Sequence, residues 1–209
     1  MSGVIAAGHE LTAQSGAEIL RAGGNAFDAA LAALATACVV EPVLASLGGG
    51  GFLLAQPSRE AVRLYDFFVQ TPRRRRAASE LDFRPIIADF GTAEQEFHIG
   101  QGAVATPGLV RGLFAAHRDL GTLPMRDILH QAVRHANEGI RVNALQAYIF
   151  GVIAAIYRES PAAMAIYASR HDPERLTGEG ETLWSQPSPT AVPFPSGITQ
   201  AADLLFEQL

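Results

Sequence analysis

Four consecutive glycines, Gly48 to Gly51, separate an apolar stretch ending at Leu47 from the strand-like run Phe52-Leu53-Leu54-Ala55. In a chain with 48% hydrophobic residues, such a run is a structural demand rather than a linker. Glycine lets one backbone segment approach another, or takes φ > 0, where a Cβ would clash. Two nucleotide-binding readings fail. A P-loop needs a lysine after its glycines, and the 209 residues contain none. A dinucleotide fingerprint opens a helix, whereas Gly51 leads into a strand pattern. Ser46 lacks the Gly-x-Ser-x-Gly frame of a nucleophile elbow. Close backbone packing beneath a site is the reading that remains.

The flanking sequence predicts alternating helices and strands. Val4-Ile5-Ala6-Ala7 reads as a short strand, followed by a helix through Ala13, Ala17 and Leu20 that stops at Gly23-Gly24. Asn25 then caps a second helix, with Asp28 three positions on as in a capping box. From Ala26 to Val40 that helix is apolar on every side and belongs in the interior. Phe52 to Ala55 and Val62 to Tyr65 read as two strands around the loop Gln56 to Glu60, the second extending until Pro72. Residues 73–101 show little periodicity and read as a surface excursion. Thr106-Pro107 reads as a helix N-cap with proline in the first turn, the helix running past Leu109, Leu113 and Phe114 to Gly121. A further helix begins near Pro124 and closes at Gly139, and another is capped by Asn143 and runs through Leu145, Ile149, Ile153 and Ile156. Ser185 to Pro195 is proline-rich.

Composition narrows the function classes. The length suits one sizeable domain. A net charge of −5 gives no basic face for nucleic acid. With no lysine, Schiff-base chemistry is excluded within the chain. Cys38, the only cysteine, permits no intrachain disulfide and reads as a small buried hydrophobe. His130 and His135 are five apart, off the spacing that shares a helix face, so no metal site is expected. Arg73-Arg74-Arg75-Arg76 reads as a solvated charge run, with contact to an anionic group as the sharper alternative. The start lacks a signal-peptide pattern, and no apolar run spans a bilayer. The expectation is a cytoplasmic protein without a membrane partner, or a periplasmic one if the start is incomplete.

Four ordered blocks together carry a family resemblance. They are Ala17 to Ala29 with its Gly-Gly-Asn-Ala-Phe-Asp core, and Leu47 to Phe52; then Ala105 to Gly112 followed by Gly121-Thr122-Leu123-Pro124, and Ala136 to Asn143. In this order and spacing they resemble the large subunit of the gamma-glutamyltranspeptidases, which are N-terminal-nucleophile hydrolases. Residues 1–170 resemble a large-subunit segment, and 171–209 form a proline-rich, poorly matched tail, although Gly178 to Leu183 still looks like a family turn.

The resemblance implies an α+β fold, an αββα sandwich that this chain covers only in part. It implies no cofactor. It also implies a catalytic small subunit from the same precursor, whose N-terminal threonine attacks a small-molecule amide or gamma-glutamyl-like substrate. Its own α-amino group acts as base, and the acyl group passes to water or an amine. No threonine here stands in a Thr-x-His-x-Ser context, so no catalytic residue is expected in this chain. Alone it should be inactive and prone to aggregate through uncovered apolar faces. A non-catalytic scaffold is the alternative. The family usually carries Asp-Phe-Arg-Glu-x-Ala-Pro after its hairpin, the arginine binding the donor's α-carboxylate. Here the stretch is Asp66-Phe67-Phe68-Val69-Gln70-Thr71-Pro72, with Phe68 at the arginine position. By this resemblance Phe68, Gln70 and Arg73 are the candidate substrate-binding residues, and Gly48, Gly49, Gly50 and Gly51 form a structural turn near the site.

Overall fold

A computed structural model of the chain describes residues 3–184. They fall into two compact units interleaved along the sequence. One joins the chain up to Pro72 with Ala105–His135; the other joins Arg73–Val104 with the chain from Ala136 onward. The fold class is α+β, as expected.

In the first unit, α1 (Glu10–Arg21) packs along α2 (Ala26–Val40). Small residues allow the approach. A Cβ on Gly16 would lie 2.9 Å from the Ala29 carbonyl oxygen, and Ser15 Oγ donates to the Ala32 carbonyl at 3.3 Å. Residues 4–7 do not form the expected strand; they run as irregular chain beside these helices. Ile5 reaches Gly16 in side-chain contact, so its apolar signal reports packing on α1 rather than a ladder. The junction between the two helices follows the sequence closely. Gly23 takes φ 94°, its N–H bonds to the Leu20 carbonyl at 3.2 Å, and Gly24 N–H bonds to the Ile19 carbonyl at 3.0 Å. This pairing satisfies the last carbonyls of α1. Asn25 Oδ1 then accepts from the N–H groups of Phe27 and Asp28, each at 2.8 Å, and Asp28 returns a carboxylate oxygen to Asn25 N–H at 2.9 Å.

The strands β1 (Phe52–Ala55) and β2 (Arg63–Asp66) form an antiparallel hairpin pairing Leu53 with Tyr65 and Leu54 with Leu64. The second strand stops at Asp66, short of Pro72. The chain rejoins a ladder only at one bridge, between Gln70 and Thr106. Helix α3 (Leu109–Leu120) starts later than the Thr106-Pro107 signal, with Gly108 as N-cap and no side-chain cap. A backbone carbonyl takes the capping role: Gly49 O accepts from Gly108 N–H at 3.1 Å and Leu109 N–H at 3.2 Å. Helix α4 (Met125–Glu138) follows, burying Met125, Ile128, Ala132 and His135 along one stripe, and ends at Gly139.

The second unit holds a hairpin where the sequence predicted only irregular chain. Strand β3 (Arg84–Asp89) pairs with β4 (Glu94–Ile99) around a turn in which Gly91 takes φ 82° and donates to Asp89 Oδ1 at 2.7 Å. Pro85, a strand-disfavouring signal, sits in the second position of β3, and most of the hairpin's side chains are exposed, so polar residues occupy it. Strand β5 (Ile140–Arg141) pairs with β6 (Thr182–Leu183). Asn143 caps α5 (Ala144–Val152) by a capping box with Gln146, as expected. The expected continuous helix breaks at Ile153 into a separate α6 (Ala154–Tyr157). Gly151 and the β-branched pair Val152-Ile153 weaken it there. A final helix, α7 (Pro161–Tyr167), is capped by Ser160. Phe150, Tyr157 and Tyr167 cluster, the two tyrosine rings 4.4 Å apart. Arg175 holds the Glu181 carboxyl down to about 2, helped by the Gly178 N–H. The proline-rich Ser185 to Pro195 lies outside the described residues.

Among the described residues no helix is long and apolar enough to cross a membrane, and no group of three or more His, Cys, Asp or Glu could hold a metal ion.

Candidate functional site

The glycine run gathers its neighbours around one residue that sequence reading passed over, Phe67. None of the four glycines takes a positive φ. Of the two reasons for glycine, close approach is the operative one, and it is concentrated at Gly50. A Cβ there would lie 2.6 Å from both the Phe67 carbonyl oxygen and the Val69 nitrogen, which are backbone atoms that cannot swing aside. Gly48 has nothing nearer than Ser46 Oγ at 3.7 Å. Replacing Gly50 with alanine is therefore expected to destabilise the first unit by about 3 kcal/mol, while Gly48→Ala stays within about 0.5 kcal/mol. Chemical denaturation of the two variants compares them directly; equal midpoints would show that the run is not held by this contact.

Phe67 is gripped from both sides. Its N–H donates to the Gly51 carbonyl at 3.1 Å, and its carbonyl accepts from Gly51 N–H at 3.3 Å. Its ring lies against α3, where a Cβ on Gly112 would come within 2.1 Å of Phe67 Cγ; a Cβ on Gly108 would come within 2.1 Å of the Phe67 carbonyl oxygen. Phe67 is 8% exposed and shares a core with Cys38 and Leu109, against which Leu34, Ala45, Leu47, Leu53 and Tyr65 pack. The glycines of two blocks distant in sequence thus converge on one residue, Gly51 and Gly112 facing its side chain and Gly50 and Gly108 its carbonyl. The signal was present in Gly108-x-x-x-Gly112, a small-residue stripe on a helix face, but the sequence does not say which ring fills it.

The next residue faces the other way. Phe68 is 51% exposed, and its ring stacks on Phe52, 61% exposed, with centroids 5.4 Å apart and planes 10° from parallel. The Phe68 N–H donates to Asp66 Oδ1 at 3.0 Å. Two residues on, Gln70 exchanges backbone hydrogen bonds with Thr106 at 3.1 and 2.7 Å, pinning the far end of the segment. Phe68 and Gln70 therefore lie on one anchored stretch of the first unit. Arg73 is exposed and opens the second unit. Beside the glycine run a cavity of about 440 Å³ is lined by residues including Leu34, Pro42, Ala45, Ser46, Gly49 and Leu109. A smaller one of about 200 Å³ shares Leu34 and Gly50 with it and is lined also by Leu31, Phe52 and Phe67.

Two threonine hydroxyls of the first unit and the Cys38 thiol are engaged structurally. Thr12 Oγ1 donates to Glu41 at 2.6 Å, and the Thr122 hydroxyl donates to the buried Asp28. Burial pushes the Cys38 thiol up to about 11, and the charge of Glu41 adds to the rise. A thiol so placed carries negligible thiolate near neutrality. Cys38 is expected to resist a disulfide exchange reagent at pH 8 until denaturant is added; fast labelling of the folded protein would contradict its burial.

Against this geometry, comparison with known proteins is informative. The family model for gamma-glutamyltranspeptidase matches residues 12–188. The glutathione hydrolase proenzyme of Pseudomonas aeruginosa is 35% identical over 141 residues, covering 67% of this chain and 24% of the relative. The acylase ACY 1 proenzyme of Pseudomonas sp. strain V22 is 32% identical over 145 residues, covering 67% of this chain and 25% of the relative. The chain thus spans about a quarter of the length of these relatives. Among solved structures, Helicobacter pylori gamma-glutamyltranspeptidase superposes with a TM-score of 0.73 at 23% identity, over 88% of this chain and 51% of that one. The fold is that of the N-terminal-nucleophile hydrolases, covered in part. With the match running from α1 through the glycine run to beyond β6, the chain belongs to the gamma-glutamyltranspeptidase family.

Proposed function

We propose that this chain is large-subunit sequence of an N-terminal-nucleophile amide hydrolase or acyltransferase. In this reading it supplies helices, a sheet and one wall of the donor pocket. The attacking threonine comes from a small subunit cut from the same precursor. That threonine's hydroxyl adds to the amide carbonyl, its α-amino group takes the proton, and the amine leaves. The acyl-enzyme then gives its acyl group to water or to a second amine. The chain itself provides no nucleophile and is inactive alone.

The observation that carries this reading is the clamp on Phe67. Gly50, Gly108 and Gly112 come from separate blocks that match the family, and they converge on one segment whose next residue, Phe68, points outward. Phe68 and Gln70 are then the donor-facing residues, and Gly48 to Gly51 the turn beneath them. Arg73 as a contact to an anionic group rests on its sequence position. Because Phe68 replaces the arginine, an ordinary gamma-glutamyl donor loses its bidentate carboxylate partner, so the donor differs from glutathione. The relatives' names fit amide cleavage, one being a glutathione hydrolase and another an acylase.

The test is expression of the whole reading frame that contains this chain, followed by mass spectrometry. Two fragments, the smaller beginning with threonine, are expected, together with poor turnover of glutathione. A single uncut chain would favour the second reading, a family scaffold without catalysis, for which the lost arginine is the motive. Efficient glutamyl-selective turnover would instead remove the claim of a changed donor.

A further inference from the structure

We propose that Phe52 and Phe68 together form an acyl-binding platform for a flat, uncharged, aromatic acyl group. The inference rests on the reading that Phe68 faces the donor, and it adds Phe52 as a second specificity-determining residue.

The two rings are already stacked without a ligand, 5.4 Å between centroids and 10° between planes. That spacing falls in the offset-stacked range that aromatic pairs prefer. Both remain more than half exposed, at 61% and 51%, a large aromatic surface to leave in water. They lie on the outward face of the first hairpin, with Leu54 and Leu64 at 71% and 63% exposure. Leu53 and Tyr65 turn inward to the core, so the alternation of the strands sends two apolar sets in opposite directions.

Charge argues against a zwitterionic donor on this surface. One ionisable residue adjoining the pair is Asp66, opposite Phe52 in the hairpin and hydrogen-bonded to the Phe68 amide. A substrate α-carboxylate laid here would meet two ring faces and the like charge of Asp66, with hydration lost on both. A flat neutral ring meets none of these costs and extends the stack. The platform is also rigidly mounted. Phe67 is locked between Gly50 and Gly112, and Gln70 is bridged to Thr106, so little ordering cost is left for binding.

The experiment uses the full-length protein and two amides with the same leaving group, phenylacetyl-p-nitroanilide and γ-glutamyl-p-nitroanilide. The platform predicts at least roughly a tenfold preference in kcat/KM for the phenylacetyl amide. Phe52→Leu and Phe68→Leu, which keep apolar bulk but lose the flat ring, should each lower that kcat/KM by roughly tenfold, mainly through KM. Phe68→Arg should shift preference toward the γ-glutamyl amide. A self-cleaved protein that prefers the γ-glutamyl amide, or ignores the phenylacetyl one, overturns the platform while leaving the hydrolase reading intact. A protein that never cleaves itself overturns both. Leucine variants that slow both amides equally, or block self-cleavage, show packing under downstream chain and likewise overturn the platform.

Discussion

Phe67→Ala should cost the first unit about 3–5 kcal/mol, the range for emptying a buried aromatic site that cannot collapse. Collapse is limited because two of the walls against the side chain, Gly51 and Gly112 of α3, are backbone with no side chain to swing into the space. The neighbouring Phe68→Ala should cost under about 1 kcal/mol, since its ring is half in water. Chemical denaturation of both variants in the full-length protein checks the contrast, and a larger loss at Phe68 would reverse the assignment of inner and outer ring. The wall residue gives a sharper readout. Gly112→Ala should destabilise the wild type, because the new methyl overlaps Phe67 Cγ. In the Phe67→Ala background the overlaps with Cγ and Cδ1 are gone, the one with Cβ at 2.4 Å remains, and alanine's better helix propensity offsets about 1 kcal/mol of it. The same substitution should then cost less than it does in the wild type, and the coupling between the two positions is the signature of the clamp.

Asp28→Ala is the second large effect expected. The residue is 0% exposed and its carboxylate joins two segments. It accepts from Asn25 N–H at 2.9 Å at the head of α2, from Thr122 N–H at 2.9 Å after α3, and from the Thr122 hydroxyl. Nearby, Asn25 Nδ2 donates to the Leu120 carbonyl at 2.7 Å, so one cap-and-carboxylate pair fastens the start of α2 to the end of α3. Removing it leaves buried donors unpaired, a loss of about 3 kcal/mol at pH 7. Burial alone would raise the Asp28 pKa, but the hydrogen bonds from Thr122, Asn25 and Leu123 outweigh it and hold the pKa below its ordinary value of 3.8. The folded state thus binds the proton more weakly than the unfolded chain. The carboxylate's contribution is complete above about pH 4 and drains away as the pH falls through the lower folded value. Stability of the wild type should fall more steeply below pH 4 than that of Asp28→Asn. Parallel acid curves would refute the role given to this carboxylate.

The sequence disclosed what is decided within a few residues. The Gly23-Gly24 stop and the Asn25-x-x-Asp28 box are closed by hydrogen bonds spanning at most five positions, so their residue types announce them. The break at Ile153 and the exposed β3–β4 hairpin escaped notice because their signals are weak. A hairpin that buries little needs no apolar alternation, and Pro85 argues against it. Helix α3 was misplaced at its start for a different reason. Its cap is the carbonyl of Gly49, some sixty residues earlier, and a backbone acceptor leaves no trace in the residue types beside Thr106.

The same division holds at the candidate site. By itself the sequence determined the family blocks and the four glycines, since identity and order are all that these require. Only the tertiary structure decided that Gly50 carries the tightest contact of the four glycines, that Phe67 packs against Gly108 and Gly112, and that Phe68 meets Phe52 rather than the core. Adjacent phenylalanines look alike in sequence. Which one is buried follows from where β2 ends and from a backbone approaching across the fold, and neither is written in the local pattern.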